Sequence, residues 1–207
     1  MSYLLLLLFA CYLFYEYNFL FYRFLLTCIG FKIDDTLFDN LPNQLIFIGT
    51  HTSIVDFFIG TFIYYGYLHK NYTNYILMKK EFEKYTSSIF YNFDSKLKII
   101  PVDKEKKGLI KKITEELKFK NNYLLFISPE GTRNYTETIK SGYWSLAKEL
   151  NIDVVFIGID FYKKTFVLEP PRKVFYNWEI EKELFKKSAE KYAPLLPEKC
   201  SFYKKTN

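Results

Sequence analysis

The chain of 207 residues has few of the residues that several common kinds of site require. Its three cysteines, Cys11, Cys28 and Cys200, are odd in number and match neither a disulfide framework nor a zinc-binding spacing. Of its two histidines, His69 has no partner at metal-ligand spacing. The chain also lacks the Gly-x-Ser-x-Gly turn that presents a covalent serine nucleophile on an α/β sheet. We therefore expect a reducing environment, no bound metal and no bound cofactor.

Arginine is scarce as well, with three residues against 26 lysines. Where lysine fills most cationic positions, a remaining arginine favours a place that needs its planar, two-pronged donor group. The net charge of +6 is spread along the chain. A nucleic-acid-binding protein concentrates such charge on one face or around a known motif. We find neither, so we expect no nucleic-acid partner and at most a mild attraction to anionic membrane surfaces.

The first 32 residues are dominated by two apolar runs, 3–14 and 19–31. No basic residue precedes the first run and no small-x-small site follows it, which argues against a secretory signal. A membrane span needs about 20 apolar residues, and 3–22 offers that length if Glu16 is accommodated, for instance by Arg23 seven positions later.

Three interpretations of this segment stay open: one membrane span, a pair of helices lying in the membrane interface, or a helix buried on the domain. We favour permanent membrane attachment through residues 1–32. The basic residues Arg23 and Lys32 follow the first run, which predicts that the rest of the chain, 33–207, faces the cytosol.

The rest of the chain alternates between strand-like and helix-like patterns without a repeat or a linker. This alternation predicts one α/β domain with a mixed central sheet flanked by helices. The predicted strands are Leu45–Gly49, Tyr75–Met78, Lys98–Val102, Tyr123–Ile127, Asp153–Ile159, Thr165–Leu168 and Lys173–Tyr176. The predicted helices are Ile54–Leu68, Lys80–Phe93, Glu105–Lys120, Gly142–Leu150 and Glu179–Tyr192.

The segment from His51 to Asp56 places an imidazole and a carboxylate five positions apart, just after a predicted strand. In one interpretation Asp56 accepts a hydrogen bond from a ring nitrogen of His51, so that the other nitrogen can accept a proton from a hydroxyl. In the other, Ser53 and Asp56 form a capping box at the start of a helix, and His51 is a loop residue. The spacing alone does not decide between them.

A second charged segment, Ser128-Pro-Glu-Gly-Thr-Arg133, follows another predicted strand. Proline and glycine are common in ordinary turns. Here, however, the turn places Glu130 and Arg133 at a strand end, where α/β proteins tend to bind ligands. Arg133 can bind a phosphate with two donors, and Glu130 can orient Arg133 or accept a hydrogen bond from a hydroxyl. A third strand end carries Asp103 and Lys104. Asp103 is at least as well suited to cap the next helix as to bind a ligand.

These segments resemble the lysophospholipid acyltransferases, typified by 1-acyl-sn-glycerol-3-phosphate acyltransferase. The resemblance covers roughly residues 45–159 and consists of four blocks in the family's order. His51 and Asp56 match the His-x-x-x-x-Asp block, with Thr50 where the family has Asn. The matches to the other blocks are Ile100-Pro-Val-Asp-Lys104 with Lys in place of Arg, Pro129-Glu-Gly-Thr-Arg133 preceded by Ser128 in place of Phe, and Val155-Phe-Ile157 without the usual proline.

The resemblance implies an enzyme in which His51 is the general base and Asp56 is its partner. It implies that an acyl group passes from acyl-CoA or acyl carrier protein to a lysophospholipid, with phosphatidic acid as the product when the acceptor is 1-acyl-sn-glycerol-3-phosphate. The residues implied in acceptor binding are Lys104, Glu130, Gly131, Thr132 and Arg133. Lys104 presents a point charge where an arginine would present a fork, so the acceptor headgroup is left open.

Two alternatives remain. An acyltransferase acting on another acceptor, such as a different lysophospholipid or an ornithine-type lipid, would keep the same chemistry. A catalytically silent membrane adaptor would use the same scaffold, with the His51/Asp56 spacing serving only as a helix cap. The complete set of His51, Asp56, Glu130 and Arg133 argues against the adaptor.

Overall fold

A six-stranded sheet forms the centre of the domain in a computed structural model, which describes residues 19–80, 96–102 and 108–203. The strand order across the sheet is β3-β2-β4-β1-β5-β6. The strands are β1 (Gln44–Ile48), β2 (Thr73–Lys79), β3 (Leu97–Val102), β4 (Tyr123–Ile127), β5 (Asp153–Asp160) and β6 (Thr165–Leu168). The first five run parallel, and β6 pairs antiparallel with β5 at one edge. The predicted mixed sheet is confirmed.

Helices cover both faces of this sheet, as a mainly parallel sheet requires. They are α1 (19–28), α2 (Ile54–Ile63), α3 (Leu109–Leu117), α4 (Gly142–Leu150) and α5 (Trp178–Ala189). The side chains of β1 alternate between the faces. Ile46 and Ile48 lie in a core with α3, α4 and α5, whereas Leu45 and Phe47 lie in a second core with α1 and α2. β1 is therefore the buried centre of the domain.

The helix α2 continues directly into a π-helical turn, Tyr64–Leu68, so that the predicted helix Ile54–Leu68 is present with a change of winding. Helix α3 begins only at Leu109, because Gly108 before it has the left-handed backbone angle φ of 89°. The predicted start at Glu105 and the predicted helix 80–93 lie largely outside the described residues. The predicted helix 179–192 corresponds to α5, which ends three residues earlier.

The predicted strand Lys173–Tyr176 was wrong. Only Arg172 forms an isolated bridge, with Val154, and the following residues are not paired in the sheet. The backbone N–H of Phe175 donates instead to Oε2 of Glu181 over 3.0 Å. The guanidinium of Arg172 donates to both carboxylate oxygens of Glu181, at 2.9 and 2.8 Å. The buried Glu181 thus accepts the backbone hydrogen bond of Phe175 that sheet pairing could have used.

The described part of the predicted membrane segment, α1, packs against the π-helical turn. Nε of Arg23 donates to the carbonyl of Gly66 over 2.8 Å, and the ring of Tyr22 stacks on Tyr65 with centroids 4.8 Å apart. Arg23 also pairs with Asp35 at 2.8 Å, while Glu16, its predicted partner, lies outside the described residues. Within residues 19–80, 96–102 and 108–203, no helix combines the length and the apolar character needed to cross a membrane.

Candidate functional site

Two loops meet at the sheet edge where the parallel strands β1 and β4 end. Ile48 and Ile127, the last residues of these strands, are paired in register. The backbone N–H of Gly49 extends this pairing to the carbonyl of Ile127, over 3.4 Å. A Cβ atom at Gly49 would lie 2.8 Å from the carbonyl oxygen of Ile157 on β5, so glycine is required for this close approach. The loop after β1 and the turn after β4 are therefore neighbours.

His51 connects the two loops through three contacts. Its backbone N–H donates to Oε2 of Glu130 over 3.3 Å, and its ring atom Nδ1 lies 3.0 Å from Oγ of Ser128. The same Oε2 lies 3.9 Å from Nδ1. The side chain of Glu130 is 1% exposed and that of His51 is 30% exposed. The imidazole is thus fixed on its Nδ1 side by a buried carboxylate and a hydroxyl, and it remains accessible from solvent.

Asp56 lies near His51 but does not bind its ring. Oδ2 of Asp56 accepts hydrogen bonds from the backbone N–H groups of Thr52, at 2.6 Å, and Ser53, at 2.8 Å. Oγ of Ser53 accepts from the N–H of Val55 over 2.9 Å, which completes a capping box at the start of α2. The capping interpretation is confirmed, and the predicted ring hydrogen bond from His51 to Asp56 is not formed in this structure.

Burial raises the pKa of the Asp56 carboxyl above its usual value. The N–H groups of Ser53 and Thr52, and the nearby His51, act in the opposite direction. The negative charge of Glu130 adds a smaller contribution that also raises the pKa. Asp56 therefore shares an electrostatic environment with His51 and Glu130, although its own hydrogen bonds hold the backbone of the loop.

The turn that follows β4 is closed by a backbone hydrogen bond, and two cationic side chains, Arg133 and Lys140, belong to it or lie beside it. Its backbone is held by a hydrogen bond from the N–H of Gly131 to the carbonyl of Ser128, over 3.0 Å. Gly131 has a φ angle of +64°, which disfavours other residues, and a Cβ there would lie 2.9 Å from Nζ of Lys140. Arg133 is exposed and forms no hydrogen bond or ion pair with another described residue. Arg133 and Lys140 can both meet an incoming anion at this turn.

The remaining predicted binding residues divide between the turn and a neighbouring strand end. Oγ1 of Thr132 accepts from the N–H of Asn134 over 3.2 Å and thereby shapes the turn. β3 ends at Val102 on the same sheet edge, because β2, β3 and β4 are parallel neighbours. Asp103 and Lys104 follow it but lie outside the described residues, so the placement of Lys104 stays a prediction.

Sequence reasoning missed the part of the site that comes from the end of the chain. The N–H of Leu196 donates to the buried Oγ1 of Thr52 over 3.4 Å. The N–H of Thr136 donates to Oγ of Ser201 over 3.0 Å. Cys200, next to Ser201 in the chain, is buried. No spacing in the sequence indicates contacts across 144 and 65 positions, and the position of Lys140 beside Gly131 was equally hidden among 26 lysines.

One comparison with known proteins gave a match. The model of a protein family described as Acyltransferase matches residues 32–161, which is more than half of the chain and includes both loops of the site. No curated protein and no solved structure matched.

Proposed function

Because the chain belongs to the acyltransferase family, we propose that it transfers a fatty acyl group from an acyl thioester to the free hydroxyl of a lysophospholipid. The donor is acyl-CoA or an acylated acyl carrier protein. The acceptor is 1-acyl-sn-glycerol-3-phosphate, which gives phosphatidic acid. The observation that carries the proposal is the direct contact between His51 and the turn from Ser128 to Arg133, at 3.0 and 3.3 Å. A proton acceptor and a cationic turn thereby share one sheet edge.

In the proposed reaction His51 is the general base. The acceptor hydroxyl attacks the thioester carbonyl carbon and gives up its proton to the ring nitrogen of His51 that faces solvent. The new C–O bond forms, the C–S bond breaks, and the leaving thiolate takes the proton from the imidazolium. Asp56 supports His51 by holding the N–H groups of Thr52 and Ser53, which fixes the loop. A base of this kind contributes a factor of ~10²–10⁴ to the rate.

The acceptor phosphate is proposed to bind at the turn that follows β4. The guanidinium of Arg133 has no other described partner and can donate two hydrogen bonds to phosphate oxygens. Gly131 and Thr132 shape the turn, and Lys140 adds a second positive charge. Glu130 is buried against His51, so its part in acceptor binding is to hold the turn in place. Lys104 is proposed to approach from the end of β3.

We propose that the protein lies at a membrane surface with the site facing the cytosol. Two helices of the described chain expose large apolar side chains: Leu20, Phe21 and Phe24 on α1, and Ile54, Val55 and Phe58 on α2. Helix α2 starts three residues after His51, and its neighbour α1 contacts it through the rings of Tyr22 and Phe62, whose centroids are 5.8 Å apart. Contact of these side chains with a bilayer would bring the site to its lipid substrates.

The proposal is tested by incubating the full chain in lipid–detergent micelles with labelled acyl-CoA or acyl carrier protein and a panel of acceptors. The panel contains 1-acyl-sn-glycerol-3-phosphate, lysophospholipids with other headgroups, and a lyso-ornithine lipid. Thin-layer separation should show labelled phosphatidic acid. If only another acceptor gives a labelled product, acyl transfer is supported and the proposed acceptor is wrong. If no acceptor gives a product, the silent adaptor is favoured.

His51→Ala should abolish transfer while the thermal unfolding of the protein is unchanged. His69→Ala is the matched control, because the carbonyl of His69 contacts Lys96, just before β3 begins, at the opposite sheet edge. Transfer by His51→Ala at the wild-type rate would contradict the assignment of the base.

A further inference from the structure

The side chain of Ser128 stands between the ring of His51 and the carboxylate of Glu130. Its Oγ lies 3.0 Å from Nδ1 of His51 and 3.5 Å from Oε2 of Glu130. The resemblance noted above places a phenylalanine at this position, which has no hydroxyl to offer. The contact therefore belongs to this chain and is not explained by the shared motifs.

The donors and acceptors in this row allow one arrangement of hydrogens that satisfies every contact. A carboxylate only accepts hydrogen bonds, so the hydroxyl proton of Ser128 points to Oε2 of Glu130. Oγ of Ser128 then accepts, and the proton on the imidazole lies at Nδ1. The opposite tautomer would turn the lone pair of Nδ1 toward a carboxylate oxygen 3.9 Å away, which is electrostatically unfavourable.

This arrangement leaves Nε2 as the basic nitrogen of His51. Nε2 has no hydrogen-bond partner among the described residues, and the side chain is 30% exposed, so a hydroxyl can reach it. When Nε2 takes up a proton, the new positive charge lies next to the buried carboxylate of Glu130. The other oxygen of that carboxylate, Oε1, is buried without a described partner. A buried polar atom without a partner is unfavourable, and a site can tolerate this where the charge is used.

Asp56 forms no hydrogen bond with the ring of His51 in this structure. Its Oδ2 is engaged by the N–H groups of Thr52 and Ser53, at 2.6 and 2.8 Å, and the ring of His51 makes its hydrogen bond on the Ser128 side. We therefore propose that Ser128 and Glu130 are the positioning residues of the general base: they fix the Nδ1–H tautomer of His51, and Glu130 stabilises the imidazolium. This inference rests on the proposed function for its kinetic consequences but not for its structural ones.

The structural consequence is tested by NMR of the ¹⁵N-labelled full chain in micelles. The two histidines are assigned with His69→Gln, which leaves the signals of His51 alone. Long-range ¹H–¹⁵N correlations should show Nδ1 protonated and Nε2 unprotonated in the wild type at alkaline pH. Ser128→Ala should lose this pattern and Ser128→Thr should retain it, because threonine keeps the hydroxyl. An unprotonated Nδ1 in the wild type would overturn the proposal.

The kinetic consequence is tested with Ser128→Ala, Ser128→Thr and Glu130→Gln. Ser128→Ala should lower kcat by about tenfold or more, part of the 10²–10⁴ that a general base supplies, with little change in either KM. Ser128→Thr should recover most of the loss. Glu130→Gln removes the negative charge beside the imidazolium, so kcat should fall. Ser145→Ala and Glu149→Gln, both on α4, serve as matched controls.

Three further outcomes distinguish the positioning role from a nucleophilic role and from failure of the proposed function. An acyl group found on Ser128 by mass spectrometry would make it a nucleophile and would overturn the positioning role. Wild-type kinetics in Ser128→Ala would overturn it as well. A chain that transfers no acyl group to any acceptor, yet loses the Nδ1–H pattern in Ser128→Ala, would refute the proposed function and support the assignment of the ring.

Discussion

The backbone N–H of His51 donates to Oε2 of Glu130 over 3.3 Å, although 79 positions separate the two residues. This bond joins the loop after β1 to the turn after β4. It depends on the parallel pairing of the two strands, whose last residues, Ile48 and Ile127, are in register. A carboxylate that is 1% exposed thus serves as the common acceptor for the two segments that carry the site.

Arg133 should bind the acceptor phosphate through its fork. Arg133→Ala removes up to two charge-assisted hydrogen bonds, each worth about 1.5–3 kcal/mol, and should raise the KM for the acceptor at least tenfold with a smaller effect on kcat. Arg133→Lys should recover only part of the loss. Steady-state kinetics with varied acceptor concentration measure the KM and kcat of both variants. An unchanged acceptor KM in Arg133→Ala would place the phosphate elsewhere.

Lys140 should add attraction for the same phosphate. Lys140→Ala should raise the acceptor KM several-fold, and the difference from wild type should shrink at high salt because exposed charges are screened. Lys120→Ala is the control, because Lys120 is exposed and precedes β4 at the opposite sheet edge. Equal effects of the two substitutions would show that only the overall charge of the protein matters.

Asp56 should contribute to stability as a helix cap. Asp56→Ala removes the acceptor for two N–H groups and should lower the free energy of unfolding by about 0.5–2 kcal/mol. Asp56→Asn keeps a carbonyl acceptor and should be at least as stable as wild type at neutral pH. Because burial raises the pKa of Asp56, the folded chain binds its proton more tightly than the unfolded chain does. The contribution of Asp56 to stability therefore falls as pH rises from the unfolded pKa through the folded pKa. Asp56→Asn should remove that slope in urea titrations across pH.

Two glycines should respond in opposite ways to alanine. At Gly49 the new methyl group would meet the carbonyl oxygen of Ile157 at 2.8 Å, so Gly49→Ala should destabilise the fold by about 1–3 kcal/mol. At Gly60, inside α2, no described atom other than those of the adjacent residues and the helix backbone lies within 4 Å of the new Cβ. Gly60→Ala should stabilise the helix by about 0.5–1 kcal/mol. Urea midpoints of the two variants compare them directly, and a stable Gly49→Ala would show that β5 can move away.

The thiol of Cys200 should resist alkylation. Burial raises its pKa, and the nearby charges of Glu130 and Asp56 act in the same direction. Each unit by which the pKa rises lowers the reactive thiolate about tenfold at a given pH below that pKa. Cys28 is exposed and serves as the internal reference. Peptide mapping after timed iodoacetamide treatment should show Cys28 labelled first at pH 8, and the gap should narrow as pH increases. Early labelling of Cys200 would show that the end of the chain opens readily.

The exposed phenylalanines of α1 and α2 should contact the membrane. Phe24 is 63% exposed and Phe58 is 50% exposed. Full burial of such a side chain is worth about 1.5–3 kcal/mol, so Phe24→Glu or Phe58→Glu should weaken binding to anionic vesicles about tenfold or more in flotation assays. Phe119→Glu is the matched control, because Phe119 is 85% exposed and lies beyond the end of α3. Equal binding by all three variants would assign the membrane contact to other residues.

The scarcity of arginine proved informative. Arg172 places two donors on the buried Glu181, and Arg23 binds both Gly66 and Asp35. These two arginines use the geometry that lysine lacks, as the composition predicted. Arg133, the third, has no such partner in the described part of the chain, which fits its proposed use for a ligand.

Some contacts could not be predicted because they depend on residues far apart in the sequence. The strand predicted at Lys173–Tyr176 has a suitable local pattern, but the hydrogen bond of Phe175 with Glu181 replaces sheet pairing there. The contact of Leu196 with Thr52 joins the end of the chain to the loop after β1, and no local sequence pattern indicates it. In both cases a side chain supplied by another element decides the outcome.

The sequence by itself determined the alternation of strands and helices, the capping box of Ser53 and Asp56, and the placement of both charged segments at strand ends. Each of these depends on neighbouring residues, through backbone preference or hydrophobic periodicity. Only the tertiary structure decided that the ring of His51 faces Ser128 and Glu130 rather than Asp56. That choice follows from the register of β1 with β4, which brings distant hydrogen-bonding groups to 3.0 Å, while Oδ2 of the nearer carboxylate accepts from the backbone N–H groups of Thr52 and Ser53.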